Sequence, residues 1–289
     1  MKHLLCIGMG YSARALARRI GTRGWRITGS ATSAAGCERV RAQGWDTVLF
    51  DGTQPSADLA TSIASATHLV VSAAPGSEGD PLLRQHATDL AAAPNLAWIG
   101  YLSTVGVYGD HQGLWVDEDT ELKPVSQRSR QRVAAETAWL EFAYRAKKRL
   151  QIFRLAGIYG PGRSAIDNLR DGSARRIIKP AQVFNRIHVD DIANVLDAAI
   201  HSTPSRHTIF NVTDDEPAPP QDVVAYAAKL LSLPVPPDIP FDLAPLSPMG
   251  LSFYRENKRV SNARLKSDLG VTLFYPTYRE GMTAIANPD

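Results

Sequence analysis

Residues 4–20 read LLCIGMGYSARALARRI, an apolar run that breaks at two glycines and resumes with helical spacing. Leu4 to Ile7 suit a buried strand, and the residues from Ser12 to Ile20 have the period of a helix. Gly8, Gly10 and Ala13 stand between the two in a G-x-G-x-x-A pattern. Gly8 permits a tight turn, Gly10 lets backbone approach a pyrophosphate, and Ala13 lets helix and strand pack closely. The first helical residues, Tyr11, Ser12 and Ala13, then offer N–H groups and the positive end of the helix dipole to phosphates. The stretch predicts a dinucleotide-binding βαβ unit at the start of an α/β fold.

Outward from this turn, short apolar runs alternate with helix-period segments: WRITG, AAGCERVRAQ, TVLFDG, THLVVSAAP, LLRQHATDLAAA and LAWIGYLST. Such alternation predicts a parallel sheet of the doubly wound, Rossmann-like kind. A helix from about Ser126 leads into LQIFRLAGIYGPG, and NRIHVDDIANVLDAAI and HTIFNVT read as further sheet elements. After Thr213 the texture changes. A Pro-opened helix lies in DDEPAPPQDVVAYAAKLLSLP, a loop in PVPPDIPFDLAPLSP, and a short helix, SNARLKSDLG, ends at Gly270. The expected division is a nucleotide-binding domain over 1–160, to which 186–213 returns, and a small substrate-binding lobe over 161–185 and 214–289.

With 44% hydrophobic residues over 289 positions the chain can bury a large core, which excludes disorder as its main state. It has no run of about 18 apolar residues, and MKHLLCIGMG reaches its glycines too soon for a signal peptide. It therefore reads as soluble and cytoplasmic, with no membrane partner. A formal net charge of +3, with acidic residues interspersed, gives no support for a nucleic-acid partner. Cys6 and Cys37 have neither disulfide nor metal spacing, and no metal set is evident elsewhere. A homodimer is compatible with the sequence.

An NAD site usually ends its second strand in Asp or Glu. Here that strand runs WRITGSATS, where Ser30, Thr32 and Ser33 offer hydroxyls and no carboxylate opposes a 2′-phosphate. NADP is favoured over NAD on this ground. Arg14 either approaches that phosphate or is a solvated helix arginine. Asp51 either lies by the adenine or caps the turn that follows it.

The pieces GMGYSA, SAAPG, YLSTVGVYG, RLAGIYGPG and RIHVDDIA together resemble the extended short-chain dehydrogenase/reductases, the NAD-dependent epimerase/dehydratase group, over essentially the whole chain. The resemblance implies a Rossmann-like domain, a small C-terminal lobe and a cleft between them. It implies an NAD(P)-dependent oxidoreductase or epimerase-like enzyme acting on an anionic, hydroxylated small molecule, with sugar nucleotides as the type. It also implies cofactor contacts at Ala73 and Ala74, and at Tyr159 over the nicotinamide end, where a structural aromatic is the alternative.

In that family the fifth strand brings a Ser or Thr to the reacting oxygen, and the next helix brings Tyr-x-x-x-Lys. The tyrosine passes the proton while the lysine holds the nicotinamide ribose. Thr104 matches the first of these, but SQRSRQRVAAE puts Arg128 at the tyrosine and Arg132 at the lysine. The two share a helical face. A guanidinium with a pKa above about 12 passes no proton near neutral pH, so Arg128 is no general acid or base. Arg132 keeps a charge and donors suited to ribose hydroxyls. Tyr108 either supplies the missing phenol or packs beneath the substrate. The rival reading is a non-catalytic NADP-binding sensor that kept the cradle and lost turnover.

His188, Asp190 and Asp191 cluster in RIHVDDIA, where the aspartates read as satisfying the free N–H groups of a helix. The run NLRDGSARRIIKPAQVFNRIH is either an exposed charged face or an anion pocket. In the related enzymes this region faces substrate, which makes Arg163, Arg175 and Arg186 the candidates for bidentate phosphate or carboxylate contacts.

Overall fold

The first 104 residues lay down β1 (His3–Ile7), α1 (Tyr11–Gly21), β2 (Arg26–Ala31), α2 (Ala34–Arg41), β3 (Asp46–Leu49), α3 (Ala57–Ser65), β4 (His68–Val71), α4 (Pro81–Ala92) and β5 (Trp98–Thr104); α5 (Gln127–Ala146) follows. The computed structural model describes residues 1–203 and 208–288, so His207, with which the expected strand HTIFNVT opens, lies outside the described residues. A seven-stranded sheet runs in the order Ile209–Val212, Leu150–Leu155, β5, β4, β1, β2, β3. Its pairings from β3 through β5 are parallel. Helices flank this sheet, which is the doubly wound Rossmann-like arrangement that the alternating pattern predicts.

β1 and β4 are buried at every residue, as parallel strands covered on both faces must be. Leu5, Ile7, Leu69, Val71, Ile99 and Tyr101 pack with Leu59 and Ile63 of α3, Leu82 and Leu90 of α4, and Ala135 and Trp139 of α5. Each large apolar side chain buried there contributes roughly 1.5–3 kcal/mol. The helix starts are capped by Ser33, Ser56 and Asp80, whose side chains accept from the first-turn N–H groups. α1 differs. Its N-cap is Gly10, with no side chain to supply a cap.

His68 opens β4 against the rings of Trp25, at 4.8 Å, and Trp98, at 6.3 Å, and is only 9% exposed. Burial, reinforced by the charges of Lys2 and Arg149, pushes its pKa down from 6.5 to about 4. The folded protein thus holds His68 neutral, so its contribution to stability is full above the unfolded value and is lost as the pH falls through the folded one. We expect the melting temperature to fall between these values with a shallower slope in His68→Gln. Identical slopes in a thermal-shift series would remove His68 as a cause.

The chain groups into two units: 1–104, 127–154 and 192–210, and 105–126, 155–191 and 211–289. The second unit contains short parallel pairs, Gly157–Tyr159 with Arg186–His188, Arg176–Ile178 with Asp238–Pro240, and Trp115–Val116 with Arg259–Val260. The proline-rich stretch expected to be loop therefore supplies a strand. Gly270, at φ +62°, ends the helix Ala263–Leu269 in the left-handed conformation that glycine favours. The aspartates of RIHVDDIA act differently from the expectation. Asp191 accepts from the N–H groups of Phe274 (2.6 Å) and Tyr275 (3.0 Å), and the N–H of Asp190 donates to His188 Nδ1 at 3.2 Å. Asp191 thus ties down a distant segment instead of its own helix. Among the described residues no helix is long and apolar enough to cross a membrane.

Candidate functional site

Gly8 turns at φ +82°, and a Cβ built on it would meet Ser72 Oγ at 3.0 Å and Ala73 N at 3.2 Å. Only glycine suits both constraints. The turn is bolted from two sides. Gly8 N donates to Ser30 Oγ at 2.9 Å, Met9 N to Ser30 O at 3.0 Å, and the Ser72 hydroxyl to Gly8 O. A Cβ on Gly10, by contrast, would meet nothing nearer than Gly8 O at 4.0 Å. The space above Gly10 is therefore open, at the uncapped start of α1, and a pyrophosphate fits this cradle.

A cleft of about 410 Å³ opens above this turn at the carboxyl ends of β1, β2 and β4. That is the switch point of the sheet, where strand order reverses and ligands of open α/β folds bind. Arg14, Ser30, Thr32, Asp51, Ala73 and Ala74 are among the residues that line the cleft. Asp51 Oδ1 accepts from Thr53 N (2.9 Å) and Thr53 Oγ1 (2.7 Å), bonds that hold its carboxyl below the usual range. It caps its turn while bordering the cleft. Arg39 also lines the cleft and is missed by the sequence reading. Its signal is Gly36, three residues earlier, where a Cβ would come within 2.9 Å of Ala31 Cβ; the glycine seats α2 close to the end of β2. A larger hollow of about 550 Å³ lies at the other strand ends, around Trp25 and Trp45, but no phosphate turn faces it.

On α5, Arg132 Nη1 donates to Tyr101 OH and Leu102 O, both at 3.0 Å, and to Ala73 O at 3.4 Å. It ties together the ends of β4 and β5. Arg128, one turn earlier, is exposed and has no hydrogen bond or ion pair among the described residues. Thr104 closes β5 half-buried. Beside it, buried Ser103 donates its hydroxyl to Glu136 Oε1 at 2.5 Å, and Glu136 Oε2 pairs with Arg154 Nη2 at 2.8 Å. Glu136 also escapes the sequence reading, although it stands four residues after Arg132 on the same face.

The other candidates belong to the second unit. Tyr108 is fully buried, with its OH donating to Asn211 Oδ1 at 2.7 Å. Tyr159 presses on Gly281, where a Cβ would lie 2.1 Å from its OH, and stacks edge-on against His188 at 5.1 Å. Arg163 and Arg175 are exposed, and Arg175 donates to Gly172 O and Ala174 O of its own loop. Arg186 is half-buried. Its Nη1 donates to Phe184 O and Ala218 O, both at 3.0 Å, while Nε and Nη2 have no partner among the described residues.

No family model matches the chain. Protein YeeZ of Escherichia coli (strain K12) is 30% identical over 247 residues, covering 82% of this chain and 86% of its own. A functionally unknown conserved protein from Silicibacter pomeroyi DSS is 50% identical, with a TM-score of 0.90 over 99% of this chain and 98% of that one. A Methylobacillus flagellatus protein, provisionally an NAD-dependent epimerase/dehydratase, is 28% identical, with a TM-score of 0.70 over 98% and 97%. The chain belongs to one family with Protein YeeZ and is structurally homologous to members of the NAD-dependent epimerase/dehydratase group, the extended short-chain dehydrogenase/reductases.

Among structures of the same fold, UDP-glucuronic acid 4-epimerase from Bacillus cereus is solved in complex with NAD; it is 16% identical, with a TM-score of 0.76 over 98% of this chain and 95% of that one. This epimerase and MoeE5, the similar structures named with a bound dinucleotide, hold NAD, which overturns the expectation of NADP. Two of the three hydroxyls assigned to a 2′-phosphate have other duties here. Ser30 is buried on Gly8 N, and Ser33 caps α2 by accepting from Gly36 N at 3.2 Å.

Proposed function

We propose that the chain binds NAD on the β1–α1 turn and works as an oxidoreductase or epimerase-like enzyme on a phosphate-bearing, hydroxylated small molecule of the sugar-nucleotide kind. The observation that carries this reading is the open, uncapped space over Gly10 above a turn held rigid by Ser30 and Ser72. Gly8, Gly10, Tyr11, Ser12 and Ala13 would hold the pyrophosphate. Thr32, Asp51 and the planar guanidinium of Arg39 would flank the adenosine, and Ala73 and Ala74 the continuation of the dinucleotide. Bound NAD supplies a reversible hydride acceptor. The Thr104 hydroxyl orients the reacting oxygen, Arg132 presents its remaining donors to ribose, and exposed Arg128 stabilises negative charge on the substrate. Arg186 recognises the substrate's phosphate, its unpartnered Nε and Nη2 being donors that lack an acceptor. The B. cereus epimerase, solved with UDP-glucuronic acid and NAD, supports this substrate type.

A second reading has its own support. Arg128 stands where the family carries a proton-passing tyrosine, which favours an NAD-binding sensor without turnover. Nicotinamide absorbance over a panel of UDP-sugars separates the two: turnover supports the enzyme, whereas NAD binding without turnover supports the sensor. The double change Arg128→Tyr with Arg132→Lys should raise generic carbonyl reduction by NADH and lower native activity by about 2 kcal/mol or more in transition-state terms. Undiminished native activity in that variant removes the charge-stabilising role of Arg128.

A further inference from the structure

Arg132 spends a single nitrogen on three oxygens. Its Nη1 donates to Tyr101 OH and Leu102 O, both at 3.0 Å, and to Ala73 O at 3.4 Å, while Nε and Nη2 have no partner among the described residues. The guanidinium is therefore gripped at one corner only. All of these residues belong to the first unit.

Ala73 fixes where that corner sits. Its N–H donates to Ile7 O at 3.1 Å, one residue before Gly8, and it lines the cleft above the phosphate turn. Half-buried Arg132 is thus bonded to the cleft wall, one residue away from the strand that leads into the turn. Tyr101 lies behind this wall. It is fully buried on β5, its ring packs on Trp139 at 5.9 Å, and the Arg132 guanidinium carbon stands 5.7 Å from its ring centroid. Burial pushes the phenol up to about 12, against the pull of Arg132, so the hydroxyl stays neutral. A hydroxyl closed off in this way touches no ligand, and its effect on one passes through Arg132.

The two protons of Nη1 lie in the plane of the guanidinium, so a good acceptor for each fixes that plane. Tyr101 OH and Leu102 O are the two short bonds, and Ala73 O is the long one. Without the phenol oxygen one short bond remains, and the plane can turn. Freedom of that kind must be given up when a ligand is bound, which weakens the binding.

We propose that Tyr101 is a positioning residue for the cofactor: its hydroxyl sets the plane of the Arg132 guanidinium and so keeps the unused Nε and Nη2 donors ready for the hydroxyls of the nicotinamide ribose. The proposal rests on the reading of Arg132 as the ribose contact.

Tyr101→Phe isolates the bond, because the ring, its packing on Trp139 and its face toward the cation all remain. Calorimetry compares NAD, ADP-ribose, which keeps the second ribose, and ADP, which lacks it, on wild type, Tyr101→Phe, Arg132→Ala and the double variant. Tyr101→Phe should weaken NAD and ADP-ribose by about three- to tenfold and leave ADP unchanged. Arg132→Ala should lose more in the same pattern, and the double variant should be no weaker than Arg132→Ala, since the phenol acts only through the guanidinium. Equal loss on all three ligands overturns the proposal, for that is a loosened sheet end and not a turned donor. Unchanged affinities in Tyr101→Phe beside a selective loss in Arg132→Ala remove Tyr101 and leave the Arg132 reading standing. Unchanged affinities in Arg132→Ala, or no NAD binding by wild type, overturn both. Nitrogen-15 relaxation of the Arg132 Nε–H needs neither ligand nor variant: a side chain already mobile in the wild-type protein overturns the proposal, and one that is rigid there should become mobile in Tyr101→Phe.

Discussion

Gly10→Asp is expected to abolish NAD binding and leave the protein as stable as before or slightly more so. Gly10 lies at φ −84°, ψ −166°, ordinary extended backbone for any residue, and it occupies the N-cap of α1 without a side-chain bond. Aspartate is among the best residues at such a position. Its carboxylate would then stand in the open space that the pyrophosphate needs. Two like charges about 4 Å apart at an effective dielectric near 20 repel by about 4 kcal/mol, or roughly a thousandfold in affinity. Gly8→Ala should behave differently, losing stability together with binding, because φ +82° and the approach of Ser72 both exclude a side chain. Calorimetry with NAD beside thermal melts distinguishes the two variants. Retained NAD affinity in a folded Gly10→Asp protein would place the dinucleotide elsewhere.

Glu136→Ala should be the most damaging change in the first unit. Glu136 and Arg154 are 4% and 3% exposed, and Ser103 donates to the same carboxylate. Removing one member of a buried pair leaves the other charge uncompensated and costs about 3–5 kcal/mol. Replacing both by apolar residues of similar volume, as in Glu136→Met with Arg154→Leu, should recover most of that loss. Urea unfolding with an unchanged dependence on denaturant would measure both effects. A loss below about 1 kcal/mol in the single variant would mean that solvent reaches Arg154.

The small residues at positions 8, 10 and 13 and the repeated strand and helix periods made the sheet readable, because each reports a steric demand of the backbone within a few residues. Gly270 ended its helix for the same local reason. Other features depended on partners far along the chain. The strands Trp115–Val116 and Asp238–Pro240 are too short to carry a period, and exist through their pairing with 259–260 and 176–178. Asp191 looks like a helix cap until Phe274 and Tyr275 are brought to it. Glu136 escapes the sequence reading because nothing in its neighbourhood announces Arg154. Ser30 illustrates the cofactor error: sequence shows a hydroxyl at a strand end, but whether it meets a ligand or the N–H of Gly8 is decided by folding.

The bonds that fix Gly8 between Ser30 and Ser72 also bear on how tightly any dinucleotide can be held. Ordering a backbone residue costs about 1–2 kcal/mol, so a floppy glycine turn of a few residues would forfeit several decades of affinity at the moment of capture. Here that ordering is complete when the chain folds. Recognition is then preorganised, and the heat-capacity change on NAD binding should reflect the surface covered alone, without a contribution from a loop that freezes.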